Sequence, residues 1–282
     1  MAYTTLISAA DANAHLQDTG WLVVDARFSL ADAGLGRRNY LAGHIPGAVY
    51  AHLDEDLSSK VIQGVTGRHP WPAVDTAASM FGRLGIGPGV QVVIYDDMGG
   101  ALAAVRVWWM LRWLGHEAAA VLDGGWQNWQ KNGYPVRPGE EQKPGRELQV
   151  RSHPELLVTV EQVETMRKDP AYRVLDARAA DRYRGENETI DPVAGHIPGA
   201  FSAPYTNNLN PDGTFKPTAA LRQYYEGLLG GIPEERAVFY CGSGVTSIHN
   251  ILAMLYAGMG EARLYAGSWS EWIANPSRPV AR

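Results

Sequence analysis

The heptapeptide AGHIPGA stands at residues 42–48 of this chain and again at residues 194–200. Three other blocks recur around it, in the same order in both halves. They pair WLVVDAR ending at Arg27 with YRVLDAR ending at Arg178, Tyr95-Asp96 with Tyr240-Cys241, and GGWQNW starting at Gly124 with GSWSEW starting at Gly267. Because chance does not readily place four matched blocks in one order, we interpret the chain as a tandem duplication of one domain.

The stretch between the two copies has the composition of a linker, since it is rich in proline, glycine and charged residues and poor in apolar ones. A chain of 282 residues also fits two domains, at about 100–200 residues each. We therefore expect an N-terminal domain over residues 1–137, a linker over 138–157 and a C-terminal domain over 158–282.

Each half shows short apolar runs bounded by turn residues, which indicate buried strands. The runs lie at residues 22–25, 90–95 and 119–122, and at 174–176, 237–240 and 262–265. Continuous rather than alternating hydrophobicity is typical of parallel strands covered on both faces. Helical periodicity over residues 101–114 and 245–256 follows the middle run of each half. We predict an α/β fold in each half, a mostly parallel sheet with helices on both faces and a ligand site beyond the carboxyl ends of the strands.

Charge and hydropathy argue against two classes of partner. The net charge is −5 and no run of Lys or Arg occurs, whereas a nucleic-acid binder usually carries a basic patch. No apolar stretch approaches the ~20 residues of a membrane helix. The first residues also lack the basic segment and apolar run of a secretory signal. We expect a cytoplasmic protein with no nucleic-acid partner and no membrane partner.

The chain has a single cysteine, Cys241, which excludes an intramolecular disulfide, a two-cysteine redox motif and a cysteine zinc site. Cys241 ends an apolar run and is followed by a loop with two glycines, Gly242 and Gly244, before a predicted helix. A tight loop at a helix N-terminus turns successive N–H groups towards one point and favours an anion there. We expect a lowered pKa and a reactive thiolate, although an inert buried cysteine is the alternative. Asp96 holds the matching position in the first half, so that half carries no nucleophile.

A thiolate in such a loop is also typical of phosphotyrosine phosphatases. Those enzymes need an arginine six positions after the cysteine, where a guanidinium holds phosphate with two parallel bonds. That position is Ser247 in this chain. The phosphatase hypothesis therefore lacks its main phosphate ligand.

Together these motifs resemble the two-domain rhodanese family over nearly the whole chain except the linker. The paired GHIPGA motifs, the paired DAR strands, the CGSGVT loop at 241–246 and the final GSWSEW segment carry the resemblance. It implies tandem rhodanese-like domains, the second catalytic and the first degenerate. The CGSGVT loop is similar to that of 3-mercaptopyruvate sulfurtransferases, whereas thiosulfate enzymes of the mammalian type carry basic residues directly after the cysteine.

The resemblance also implies substrate-binding residues. Arg182, in the stretch DRYRG, matches the substrate-binding arginine of the family, and a guanidinium can hold a carboxylate with two parallel bonds. Arg184 is the alternative in the same stretch. A second arginine usual before the second GHIPGA is absent between residues 186 and 194, and Arg68 or Arg106 is a candidate to replace it. Loop residues expected to contact the substrate are Gly242, Gly244, Val245 and Thr246.

The resemblance further implies a proton relay. His44 of the first GHIPGA matches a histidine that is proposed to act with the loop serine and an acid. These would be Ser243 and Asp32 in this chain. The alternative is that His44 is a structural histidine at a turn, like His196 in the second copy.

The predicted function is sulfur transfer through a Cys241 persulfide, from 3-mercaptopyruvate to a thiol or cyanide, with thioredoxin as a possible protein acceptor. Two alternatives stay open: a thiosulfate:cyanide sulfurtransferase, and a non-catalytic persulfide carrier that serves one protein partner. No metal or organic cofactor is expected.

Overall fold

The computed structural model describes residues 2–282, which form two compact units. Unit 1 comprises residues 2–59, Pro72–His153 and Pro211–Thr214. Unit 2 comprises Lys60–Trp71, Pro154–Asn210 and Phe215–Arg282. The expected boundaries divide the chain at one linker, whereas the contacts assign the segment Lys60–Trp71, from the first half of the sequence, to unit 2.

A five-stranded parallel sheet forms the centre of unit 1. Its strands are β1 (Leu6–Ile7), β2 (Trp21–Asp25), β3 (Val49–Tyr50), β4 (Gln91–Tyr95) and β5 (Ala119–Leu122). They lie in the order β1-β5-β4-β2-β3, and every pair is parallel. Val24, Ile94 and Val121 face one another in register and are fully buried. Burial on both faces explains why these strands are continuously apolar.

Helices cover both faces of this sheet. They are α1 (Ala9–Ala14), α2 (Leu35–Ala42), α3 (Val74–Arg83), α4 (Ala103–Trp113) and α5 (Gly125–Lys131). Alternate strand residues such as Val23 and Val93 share one core cluster with Ala12 of α1 and Trp129 of α5. The helix α4 packs against β4 and β5 and is buried over most of its length, as expected for its apolar sequence.

Unit 2 repeats the same arrangement with four parallel strands. They are β6 (Arg173–Asp176), β7 (Phe201–Ser202), β8 (Ala237–Tyr240) and β9 (Arg263–Leu264), in the order β7-β6-β8-β9. An isolated parallel bridge between Leu157 and Leu264 stands where unit 1 has β1. The strand order matches β3-β2-β4-β5 of unit 1. The predicted α/β fold with two parallel-sheet domains is therefore confirmed.

The helices of unit 2 are short except for two. They are α6 (Val160–Met166), α7 (Ala180–Tyr183), α8 (Thr218–Leu229), α9 (Ser247–Tyr256) and α10 (Ser268–Trp272). Single 3-10 turns lie at Pro154–Leu156, Tyr205–Asn208 and Glu234–Arg236. Thr159 begins α6 with a capping box, in which it exchanges hydrogen bonds with Gln162. None of the helices within residues 2–282 combines the length and the hydropathy needed to span a bilayer.

The four repeated sequence blocks meet at one buried ion pair in unit 1. Arg27 Nη2 lies 2.6 Å from Asp25 Oδ2 and donates to the Gly43 carbonyl of the first AGHIPGA at 2.7 Å. The Tyr95 hydroxyl donates to Asp25 at 2.6 Å. The Arg27 guanidinium also lies 4.5 Å from the Trp126 ring centroid. Each block therefore supplies one partner of a single charge network.

The same network recurs in unit 2. Arg178 Nη2 lies 2.7 Å from Asp176 Oδ2, donates to the Gly195 carbonyl at 2.6 Å and lies 4.8 Å from the Trp269 ring centroid. Both charged side chains are at most 2% exposed. Hydrogen bonds on both groups offset the cost of removing them from water. The repeated sequence blocks are thus the parts of the chain that form this network in each unit.

Replacing Arg178 with methionine should destabilise unit 2 strongly, because Asp176 would be left buried and unpaired. Removing one partner of a buried pair costs about 3–5 kcal/mol. Urea unfolding of the full chain, followed by tryptophan fluorescence, measures the loss. The matched control is Arg184→Met, since Arg184 is half-exposed and pairs with Glu186 on the surface. Equal unfolding midpoints for the two variants would contradict this account of the network.

Candidate active site

Cys241 directly follows β8 and is 3% exposed, in a loop that leads into α9. Burial alone would raise the pKa of its thiol. The pKa of Cys241 nevertheless lies below its ordinary value, because the neighbouring backbone N–H groups of Ser243, Ser247 and Val245 and the Ser247 hydroxyl favour the thiolate over the thiol. The loop can therefore hold an anionic sulfur, either a thiolate or a persulfide.

The shape of this loop depends on contacts with the start of α10. The N–H groups of Trp269 and Ser270 donate to the carbonyls of Cys241 and Gly242 at 3.0 and 2.9 Å. Gly244 has a φ of +71°, and a Cβ there would lie 2.0 Å from the Ala266 carbonyl oxygen. Only glycine fits this position without displacing the backbone. The loop is thus held on one side by the start of α10.

The corresponding loop of unit 1 holds a carboxylate instead of a thiolate. Asp96 is fully buried and accepts backbone N–H bonds from Met98, Gly100, Leu102 and Ala104 at 2.8–3.2 Å. Burial raises the pKa of Asp96 to about 6, and the four N–H groups oppose that rise. In the first copy, the corresponding loop therefore surrounds the carboxylate of its own Asp96.

The segment Lys60–Trp71 contacts the Cys241 loop and the start of α10. His69 Nδ1 lies 2.8 Å from Ser243 Oγ, within hydrogen-bond distance. The Arg68 backbone N–H donates to Ser270 Oγ at 3.1 Å. Gly67 permits this close approach, since a Cβ there would lie 2.5 Å from the Gly267 carbonyl oxygen. The segment is therefore fixed against the same strand-to-helix turn that clamps the loop.

Two guanidinium groups converge on Gly242, the residue after Cys241. A Cβ at Gly242 would lie 2.7 Å from Arg68 Nη2 and 3.9 Å from Arg182 Nη2. Both arginines bind the buried carboxylate of Asp191, and the Arg182–Asp191 distance is 3.1 Å. Arg182 also forms a two-pronged pair with Glu188, with its shortest bond at 2.8 Å. Two guanidinium groups and their two carboxylate partners thus lie beside the residue that follows the cysteine.

The histidine beside Ser243 is His69, whereas the expected relay named His44 and Asp32. His44 is fully buried in unit 1, where its Nδ1 donates to the Tyr40 carbonyl at 2.8 Å and its ring stacks on Tyr40. His196 makes the same two contacts with Tyr183 in unit 2. The two GHIPGA histidines therefore share one structural role at a turn.

Three other candidates are held elsewhere. Asp32 pairs with Arg38 on the surface of unit 1. Arg184 pairs with Glu186 at 2.7 Å and is half-exposed. Arg106 is fully buried in unit 1 and donates to the Leu57 carbonyl at 3.0 Å.

Unit 2 therefore brings together most of the predicted site residues and adds two. The predicted residues in this region are Cys241, Gly242, Ser243, Gly244, Val245, Thr246 and Arg182. The sequence analysis missed His69, and it named Arg68 only as one of two substitutes. The available signal was a polar pair between Gly67 and Pro70, but 174 residues separate His69 from Ser243.

Comparison with known proteins agrees with this architecture. A model of the rhodanese-like domain matches residues 8–132 and 159–275. A Pseudomonas aeruginosa protein named "Probable 3-mercaptopyruvate sulfurtransferase" is 46% identical over 282 residues, which cover 100% of this chain and 99% of the relative. The thiosulfate sulfurtransferase of Bos taurus is 33% identical, and the match covers 90% of this chain and 85% of the bovine protein.

A solved structure extends the agreement to three dimensions. The 3-mercaptopyruvate sulfurtransferase from Leishmania major superposes with a TM-score of 0.86 at 30% identity, over 98% of this chain and 75% of that one. Sequence and fold lead to the same family. The chain belongs to the two-domain sulfurtransferases of the rhodanese family.

Proposed function

We propose that this protein transfers a sulfane sulfur from 3-mercaptopyruvate to a thiol or cyanide through a persulfide on Cys241. One observation carries the proposal. The Cys241 sulfur is buried at a loop whose N–H groups lower its pKa, and two guanidinium groups lie beside Gly242, the next residue. The 46% identity to a relative named for 3-mercaptopyruvate supports the choice of donor.

The donor is an α-keto acid, and its carboxylate needs a cation beside the loop. Arg182 supplies that cation, because its guanidinium reaches the face of Gly242. The loop residues Gly244, Val245 and Thr246 supply backbone groups around the transferred sulfur, as the CGSGVT resemblance implies. This places the donor's thiol against Cys241 while its carboxylate is held on the arginine side.

The first half-reaction breaks the carbon–sulfur bond of the donor. The Cys241 thiolate attacks the donor sulfur and forms a sulfur–sulfur bond, and the electron pair of the broken bond leaves on carbon as the enolate of pyruvate. The enolate gains a proton, and the new persulfide loses one as it ionises in the loop, so the step is balanced. The Ser243–His69 pair, at 2.8 Å, is suited to deliver that proton.

The second half-reaction returns Cys241 to the thiolate. An acceptor thiolate attacks the outer sulfur of the persulfide and leaves as a new persulfide, or cyanide attacks it and leaves as thiocyanate. Thioredoxin is a protein acceptor that fits this chemistry. We assign the reaction to the C-terminal domain over residues 158–282 and a non-catalytic role to residues 1–137, and we place the protein in the cytoplasm.

Thiosulfate is the second candidate donor. The 33% identity to the bovine thiosulfate sulfurtransferase favours it. Sulfite is the leaving group in that case and is a stable anion that needs no proton. The two donors therefore differ in their need for the Ser243–His69 pair.

Incubation of the protein with 3-mercaptopyruvate should add the mass of one sulfur atom to Cys241, detected by intact-protein and peptide mass spectrometry. Cys241→Ser should abolish both the mass gain and the turnover of donor to pyruvate, because serine cannot form a persulfide. Sulfur transfer by the serine variant, or a wild-type protein that gains no sulfur from either donor, would rule out the proposed function. A persulfide that forms but turns over only with a protein acceptor would instead indicate a carrier.

Alkylation of Cys241 by iodoacetamide should follow a titration whose midpoint lies below that of a free cysteine thiol. The direction follows from the lowered pKa, because the thiolate is the reactive form and persists to a lower pH in the folded protein. The urea-unfolded chain is the matched control, since its Cys241 lacks the N–H groups. A folded-state midpoint at or above the unfolded one would mean that burial outweighs the hydrogen bonds.

His69→Gln should lower kcat/KM for 3-mercaptopyruvate by roughly 10²–10⁴-fold, the usual contribution of general acid–base catalysis. The rate of persulfide formation from thiosulfate should change far less, because sulfite leaves without a proton. His44→Gln provides the comparison, since His44 lies against Tyr40 in unit 1. Equal losses with both donors would show that His69 only supports the loop.

A further inference from the structure

The Asp191 carboxylate bridges two arginines at the edge of the Cys241 loop. Its Oδ1 accepts from Arg68 Nη1, and its Oδ2 accepts from Arg182 Nη2 at 3.1 Å. The Asp191 side chain is 1% exposed, so the bridge lies below the surface. Burial raises the pKa of Asp191, and Arg68 and Arg182 oppose that rise. One carboxylate thus holds two guanidinium groups side by side.

Arg68 keeps donor capacity that the protein does not use. Its Nε is buried and has no hydrogen-bond partner among the described residues. Its Nη2 faces Gly242, 2.7 Å from where a Cβ would stand. The side chain is 29% exposed, whereas the structural Arg178 is only 2% exposed. A guanidinium with an N–H left without an acceptor can still bind an anion, and its Nη2 is the atom directed at Gly242.

Arg68 lies where a second arginine is needed by the family resemblance but is absent from the stretch before the second GHIPGA. The second arginine expected before the second GHIPGA is absent, and Asp191 stands in that stretch. The cation that faces the loop there comes from the segment Lys60–Trp71 instead. The carboxylate of Asp191 and the guanidinium of Arg68 therefore come from two different segments of the chain. The Arg68 guanidinium is directed at Gly242.

We propose that Arg68 is the second guanidinium that binds the donor's carboxylate, together with Arg182, and that Asp191 is the positioning residue that holds it there. This inference rests on the proposed function. Gly242 is part of the recognition because a side chain there would occupy the space that the two guanidinium groups face. The Arg68–Asp191 pair therefore has its cation on the segment Lys60–Trp71 and its acid in the stretch before the second GHIPGA.

Arg68→Gln should raise KM for 3-mercaptopyruvate about 10- to 100-fold and lower kcat less than tenfold, because the lost bond binds the carboxylate and not the reacting sulfur. Arg68→Asp should raise KM further, since it places a second acid beside Asp191. The exchanged variant R68D/D191R restores one guanidinium and one carboxylate, and its KM should return to within about tenfold of the wild type. Arg184→Gln is the control, since Arg184 pairs with Glu186 on the surface, and its KM should not change.

Two results together support the inference. KM rises in Arg68→Gln, and KM of R68D/D191R is lower than that of Arg68→Asp. A KM for Arg68→Gln within twofold of the wild type overturns it, as does an exchanged variant no better than Arg68→Asp. Thermal unfolding of each variant checks that the fold is intact, and Arg68→Lys, which keeps the charge but loses the fork, should give an intermediate KM. Persulfide formation in the wild type is measured in parallel. Its absence would refute the proposed function, whereas its presence with an unchanged Arg68→Gln would refute this inference alone.

Discussion

The buried arginine–aspartate pair at the end of the central strand is the interaction on which each unit of this protein depends. Arg178 and Asp176 are almost completely removed from water, a state that proteins tolerate only when every remaining hydrogen bond is supplied. The Gly195 carbonyl and the Glu188 carboxylate accept hydrogen bonds from Arg178, and the Trp269 ring covers the guanidinium. The pair therefore fixes the positions of a strand, a turn and a helix relative to one another within the unit.

In unit 2 a single residue, Trp269, connects this ion pair to the loop that carries Cys241. Trp269, which stacks on Arg178, also donates its backbone N–H to the Cys241 carbonyl at 3.0 Å. The backbone of the loop is thus positioned by the same residue that completes the ion pair. An anion site of this kind depends on N–H directions that are set before the anion arrives, so that little reorganisation is needed when charge develops on sulfur.

Comparison of the two loops shows that the fold supplies an anion site and the sequence decides which anion occupies it. In unit 1, Asp96 accepts hydrogen bonds from four backbone N–H groups with its own carboxylate. In unit 2, Cys241 presents a shorter, more polarisable group to the same kind of loop. The segment Lys60–Trp71 then adds His69 and Arg68, side chains that the repeated blocks do not contain.

The sequence by itself determined the duplication, the parallel α/β sheets and the candidate nucleophile. These features are encoded locally, in apolar runs, in glycines beside a strand end and in motifs that occur twice, so a linear pattern is enough to predict them. The partners of the nucleophile could be decided only by the tertiary structure. His44 and His69 both follow a small or charged residue in a turn, and nothing along the chain distinguishes the histidine that stacks on Tyr40 from the one that meets Ser243. Likewise Arg68 pairs with Asp191 although it lies 123 residues before it in the chain. Contacts across such separations follow from how the chain packs, because side-chain chemistry at one position carries no information about which distant position will come to face it.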